Sequence, residues 1–291
     1  MLGSANNSNR ILYAQQHIRR MRGGSQSHLM QASDGGYWIV KFQNNPQHIR
    51  VLANEFLASR IGRCLALPIP EVQVIEVSDW LIQNTSELCV DCAGLKTRCC
   101  SGSQLACRYV ADSECDVVFD YLPESMLTNI DNLNMFAACL VLDKWTCNVD
   151  GRQAVFTRPS QHRAFSAWFI DQGYCFNAGE WSFPDSTLRG VYSRNCVYGH
   201  VTGWDAFEPA LSLAEQADLG DLWQCASQMP REWYQQDRTG LSRLIETLHN
   251  RRSIIRDLIT QFRRHDRNPF PNWKRTQVAV PDLPAALECR A

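Results

Sequence analysis

The run Leu133-Asn134-Met135-Phe136-Ala137-Ala138-Cys139-Leu140-Val141-Leu142-Asp143-Lys144-Trp145 constrains this chain more than any other stretch. Its apolar residues at 133, 136, 137, 140, 141 and 145 follow the i, i+3, i+4, i+7 rule and predict a helix with a buried face. The turn-prone Asn148-Val149-Asp150-Gly151 should end that helix and leave Asp150 in a loop. Ala167-Trp168-Phe169-Ile170 then reads as an apolar strand closed by Asp171-Gln172-Gly173. Two carboxylates presented this way suit phosphoryl transfer: one accepts or orients a hydroxyl proton and the other holds Mg²⁺ on ATP phosphates. The same residues also fit two ordinary turns.

Upstream, several weaker signals fall in an order that agrees with this. In Gly23-Gly24-Ser25-Gln26-Ser27-His28 a glycine pair with small hydroxyl residues lets backbone N–H groups approach phosphate oxygens. By itself such a segment is more often just a flexible turn. Ser33-Asp34-Gly35-Gly36 is a hairpin turn, and Tyr37-Trp38-Ile39-Val40-Lys41-Phe42 is the strand that leaves it. Lys41 either points to solvent or reaches phosphates beneath the glycine segment. A helix from about Gln47 to Gly62 carries the stripe Ile49, Leu52, Ala53, Phe56 and Leu57. Glu55 lies off the centre of that stripe, either solvated or paired with Lys41 and aiming it. Leu67-Pro68-Ile69-Pro70 is a rigid connector. Glu71–Val77 is a strand, Asp79–Gln83 its expected hairpin partner, and Leu105–Val110 a further strand.

Composition narrows the class. Of 291 residues 45% are hydrophobic and 20% charged, which is globular, and a net charge of −1 gives no global pull toward nucleic acid or an acidic membrane. The longest apolar stretch, near Met135–Leu142, is far shorter than the roughly 20 residues of a membrane span. Residues 1–10 are polar, lack the apolar core of a signal peptide and read as disordered, so a cytoplasmic protein is expected. Thirteen cysteines in such a chain should be mostly reduced thiols. Cys89-x-x-Cys92 has zinc-ligand spacing, but the doublet Cys99-Cys100 is not a common second half. Free thiols in a surface loop are the expected state.

In the C-terminal part, Tyr174 to about Glu208 is a long loop without periodicity, a kind that in compact domains is usually functional. Its Glu180, Asp185, Asp205 and Glu208 read as solvated, or as attracting a cationic acceptor. Leu213–Trp223 and Leu241–Phe262 are amphipathic helices, with Arg251, Arg252, Arg263 and Arg264 on a solvated face. Residues 266–291 are a tail, docked or disordered.

Together these stretches resemble the HipA-like kinases, a branch of the two-lobed protein-kinase-like fold. The resemblance covers roughly residues 20–265 and rests on Gly23 to Leu29, Trp38-Ile39-Val40-Lys41-Phe42, the helix with Glu55, Asn148-Val149-Asp150-Gly151-Arg152-Gln153, and Phe169-Ile170-Asp171-Gln172-Gly173. It implies an α+β fold with a small β-rich N-lobe at 11–112 and a larger, mainly helical C-lobe at 113–265. It implies ATP and Mg²⁺ in the cleft between them, with Gly23, Gly24, Ser25, Gln26, Ser27, Lys41 and Glu55 serving the nucleotide. Asp150 is then the catalytic base, and Asp171 with Asn148 the metal ligands. The expected activity is transfer of phosphate to a Ser or Thr of a protein; the acceptor and any antitoxin-like partner stay unnamed.

Three positions depart from the pattern. Val155 stands five residues after Asp150, where these kinases offer Mg²⁺ an Asn, and a valine cannot ligate a hard cation. His28 stands where a Lys is common, and no serine clearly matches the one that these kinases modify in their own glycine loop. Asn148 or Gln153 could supply the missing oxygen, one metal on Asp171 could suffice, or the protein binds nucleotide without transferring phosphate. A second register, Asp143 to Asn148, has the same Asp-x4-Asn spacing, but Asp143 sits inside the helical run whereas a catalytic Asp needs an open loop. A non-catalytic scaffold and a small-molecule kinase are the competing functions.

Overall fold

The structure, a computed structural model, describes residues 11–111, 117–158 and 164–274. The expected disorder of residues 1–10, the boundary near 112 and the tail beyond 274 lie outside the described residues. The first elements are β1 (Leu12–Arg20), β2 (His28–Ala32), β3 (Tyr37–Lys41), α1 (Val51–Cys64), β4 (Val72–Val77), α2 (Asp79–Asn84), β5 (Cys89–Cys92), β6 (Leu95–Arg98) and β7 (Gly102–Arg108). Then come β8 (Val117–Phe119), α3 (Glu124–Leu127), α4 (Met135–Trp145), β9 (Gln153–Arg158) and β10 (Ser166–Ile170). The helices α5 (Ala210–Gln216), α6 (Leu219–Ala226), α7 (Arg238–Arg251) and α8 (Ile255–Arg263) complete the described chain.

Five strands in the order β1-β2-β3-β7-β4 close a barrel, the seam being a short parallel pairing of β1 with β4. The β2–β3 hairpin turns where expected. Gly35 takes φ +77°, and Asp34 Oδ1 accepts the Gly36 N–H at 2.9 Å. Inside the barrel lies its own apolar core of Leu12, Met30, Trp38, Val40, Phe42 and Ile75. A second, larger core forms around α4, ten of whose eleven residues are buried. The apolar side of α1 (Val51, Leu52, Phe56, Leu57, Ile61) packs into this second core, which also takes in Val72 and Leu105 of the barrel strands β4 and β7. β10, β9 and β8 make a three-stranded sheet beside it.

Several boundaries differ from the sequence reading, each for a local reason. Asp79–Gln83 is helical, because Ser78 Oγ accepts the Leu81 N–H at 3.2 Å and nucleates α2 rather than a strand. α1 starts at Val51, leaving Ile49 52% exposed ahead of it. The segment expected as one helix over 213–223 is two, because Asp218 forms a capping box with Asp221 and restarts the chain as α6. Likewise a 3-10 turn at Arg252–Ile254 separates α7 from α8. The first residues of the tail are docked: Phe270 is buried edge-on against Tyr198, Phe207 and Phe262.

His28 is fully buried, with its Nδ1 3.1 Å from His17 Nε2 and its ring edge-on to Phe42. Burial, and then the neighbouring His17, push it from its ordinary 6.5 to about 4. The unfolded chain therefore binds a proton that the folded chain refuses between those values, and stability must fall as pH drops from 6.5 toward 4. Urea midpoints measured from pH 7 to pH 4 should show that slope, and His28→Gln should flatten it in part; His17, also lowered by burial, keeps the rest.

Candidate active site

A cavity of about 740 Å³ lies where the barrel, α1 and the β9–β10 hairpin meet. Gly23, Gly24, Ser25 and Ser27 line it from the barrel, and Gln153, Val155 and Asp171 from the hairpin. Lys41 and Glu55 line it between them. Lys41 closes β3, Glu55 projects from α1, and Asp171 follows β10 at φ +62°, a left-handed turn that aspartate tolerates better than most residues. The Lys41 ammonium donates to Glu55 Oε2 and, at 2.9 Å, to Asp171 Oδ1. Cys107 Sγ donates to the other Glu55 oxygen at 3.5 Å.

One cation thus serves two carboxylates. Burial opposes the charge on Lys41, but Asp171 and then Glu55 outweigh it and raise its pKa. The Lys41 charge holds Asp171 below the usual carboxylate range, against burial. Glu55, only 3% exposed, is pushed up by burial despite its pairing. Of the two, the more exposed Asp171 is the more acidic. Glu55 is not on a solvated face, the blander of the two sequence readings.

Asp150 is exposed in the loop between α4 and β9. Its Oδ1 accepts the Gly151 N–H at 2.8 Å, and its Oδ2 accepts from Gln153 Nε2 at 3.2 Å. Gln153 and Asp171 line the same cavity wall, so the amide that holds Asp150 lies on the Asp171 side of the site. In the β9–β10 pairing Gln153 faces Ile170 and Val155 faces Trp168, which puts 153 and 155 on one side of the strand, toward the cavity.

The structure does not bring Asn148 to the cavity. Asn148 is buried, its Nδ2 donating to Asp143 Oδ1 at 2.9 Å and its Oδ1 accepting the Asp150 N–H at 3.1 Å. Gln26 also turns away: its Nε2 donates to the Asp91 carbonyl at 2.7 Å and its Oε1 accepts the Asp91 N–H at 2.6 Å. It thereby ties the glycine turn to the β5–β6 hairpin. The acidic residues of the 174–208 loop do not line the cavity either. Asp185 pairs with Arg251 at 2.7 Å, and Glu208 lies 3.8 Å from Arg256. Among the described residues no three His, Cys, Asp or Glu side chains converge on a metal position, and Cys89, Cys92, Cys99 and Cys100 are free thiols.

Two arginines matter more than their sequence context suggested. Arg152 is buried and donates to both oxygens of Asp143, to the Ile170 carbonyl at 2.9 Å and to Gln172 Oε1. It joins α4, the Asp150 loop and the strand before Asp171. Arg251, expected on a solvated face, is buried and donates to the Lys144 and Trp145 carbonyls at the C-terminus of α4. The nine-residue spacing of Asp143 and Arg152 is not a local helix or turn pair, so nothing in the sequence alone signalled it.

Residues 15–154 match the family model of HipA-like kinases. The match takes in the glycine turn, Lys41, Glu55, α4 and Asp150, and ends one residue before Val155. With the barrel and the helical core described above, it supports a kinase-like fold of mixed helix and strand. No curated protein matches the sequence. Among solved structures, the Helicobacter pylori proinflammatory kinase CtkA is similar at 13% identity and TM-score 0.48, over 81% of this chain and 94% of that one. The Golgi casein kinase with Mn/ADP bound is similar at 9% identity and TM-score 0.49, over 89% and 74%. Hydra Fam20 with sugar is similar at 11% identity and TM-score 0.49, over 87% and 85%. No helix among the described residues is long and apolar enough to cross a membrane.

Arg152→Ala should cost about 3–5 kcal/mol, because it leaves Asp143, 1% exposed, as an unpaired buried charge. Guanidinium unfolding checks this. The double variant Arg152→Met with Asp143→Leu should recover much of the loss, since no charge is then stranded.

Proposed function

We propose that the chain is an ATP- and Mg²⁺-dependent phosphotransferase, a HipA-like serine/threonine protein kinase with an N-lobe at 11–112 and a C-lobe at 113–265. The observation that carries this reading is Lys41, held between Glu55 and Asp171 on the wall of a cavity also lined by Gly23 and Gly24. A lysine kept charged and aimed by two carboxylates is a fitting partner for phosphate oxygens. The donors suit a nucleotide-bound Mg²⁺, which takes one or two carboxylates and leaves its other positions to phosphate and water. Asp171 would hold the ion, and the Gln153 amide lies on the same cavity wall. Mg-ATP supplies the phosphoryl group and the neutralising charge. Lys41 would orient the phosphates, and the backbone N–H groups at Gly23–Ser25 would receive them. Asp150, open to solvent, would take the hydroxyl proton of the acceptor. We assign the acceptor to a protein hydroxyl because the acidic loop residues of a small-cation pocket are absent from the cavity wall.

Val155 favours one second reading, a nucleotide-binding protein that does not transfer phosphate. It presents a valine to the cavity on the same strand face as Gln153. Purified protein incubated with Mg-ATP separates the two. Under the kinase reading, intact mass rises in steps of one phosphate or ADP appears, and Asp150→Ala lowers the rate roughly 10²–10⁴-fold. Asp171→Asn should abolish turnover. Nucleotide binding without ADP release moves the assignment to the non-catalytic reading. Wild-type turnover in Asp150→Ala removes Asp150 from the mechanism.

Lys41→Met should weaken nucleotide binding at least tenfold in a fluorescent-nucleotide titration, through loss of the charge at the phosphates. Asp171 should at the same time lose the depression of its pKa, seen as carboxylate titration at higher pH in NMR.

A further inference from the structure

The last residue of α1, Cys64, and the penultimate residue of α6, Cys225, bring their sulfurs to 3.7 Å. Cys64 is exposed and Cys225 is 5% exposed. Their helices are already fastened beside them: Arg60, one turn before Cys64, donates to the carbonyl of Ser227 at 2.6 Å. Nothing in the proposed phosphotransfer uses either thiol, and neither lines the cavity. The Cys64 thiol falls to about 7, first through its hydrogen bond with Cys225 and, against burial, through the Arg60 charge. The buried Cys225 is raised. The accessible sulfur is therefore the more acidic one, the arrangement of an attacking and a resolving thiol.

We propose that Cys64 and Cys225 are a modification site, forming a reversible disulfide that bolts the C-terminal end of α1 to α6 under hydroperoxide. The Cys64 thiolate attacks one peroxide oxygen, the O–O bond breaks, and the leaving hydroxide takes a proton as water. Cys64 is then a sulfenic acid, two electrons poorer. Cys225 attacks that sulfur, the S–O bond breaks, and the departing hydroxide carries off the Cys225 proton as a second water. The sulfurs must close from 3.7 Å to about 2.05 Å, which the exposed side chain at a helix end permits. The bond would close a loop running from α1 through β4, α4 and the β9–β10 hairpin to α6, so it restrains the unfolded chain strongly. It would also hold the helix that carries Glu55 in its present place. The inference stands whether or not the cavity transfers phosphate.

The test is peroxide treatment of the full chain, followed by non-reducing peptide mapping and thermal unfolding. One intramolecular cross-link between the peptides of Cys64 and Cys225 is expected, with a rise in Tm of about 5 °C that dithiothreitol reverses. Cys64→Ser, at an exposed position, should fold as wild type and abolish both signals; Cys225→Ser should abolish the cross-link by the other partner. Cys64 recovered as sulfinic acid with Cys225 still free would overturn the proposal. So would a cross-link that pairs either residue elsewhere, or one that leaves Tm unchanged.

Discussion

The buried pair of Asp143 and Arg152 is the interaction on which the geometry of the site depends. Desolvating both charges is costly, and the arrangement stands because almost every donor and acceptor is used. Arg152 reaches the Ile170 carbonyl and Gln172 as well as Asp143, and Asn148 donates to the Asp143 Oδ1 that Arg152 also contacts. One guanidinium therefore sets the distance between the helix before the Asp150 loop and the turn that holds Asp171. The loop between them is short and bonded at both ends, so Asp150 is presented by a rigid frame although its own side chain is exposed.

The second ionic cluster has a different character. Lys41, Glu55 and Asp171 come from three separate parts of the chain, with two negative charges and one positive. The imbalance is the useful property. Under the proposed function, a site with surplus negative charge and a lysine already charged would suit a cation arriving with phosphate. Cys107 against Glu55 adds a neutral donor where a further charge would upset that balance.

Much of this was legible in the sequence, because the strongest signals are local. The period of residues 133–145, the Asp34-Gly35-Gly36 turn and the strand ending at Lys41 each rest on neighbours within a few positions. Their order supported pairing Lys41 with Glu55, which the structure brings together. What local patterns could not carry was the use of polar side chains across long separations. Asn148 has the chemistry of a metal ligand, but its amide is consumed by Asp143 and the backbone of Asp150. Gln26 lies in the glycine turn, yet its partner is Asp91 on a distant hairpin. Arg251 sits on an amphipathic helix, but it is drawn inward by open carbonyls at the end of α4. Capping by Ser78 made a helix of an expected strand, and capping by Asp218 broke a continuous apolar pattern in two.

The fastening of α1 has a further consequence. Near its start, Asn54 Nδ2 donates to the carbonyls of Gly173, Cys175 and Ala178; near its end, Arg60 holds Ser227. Its apolar side belongs to the core around α4. The covalent chain thus files this helix with the barrel, whereas its anchorage files it with the opposite wall of the cavity. Lys41, reaching from β3 to Glu55, is accordingly a rivet between the strands and a helix whose backbone-seeking anchors lie across the cavity, and Cys107 is a second one.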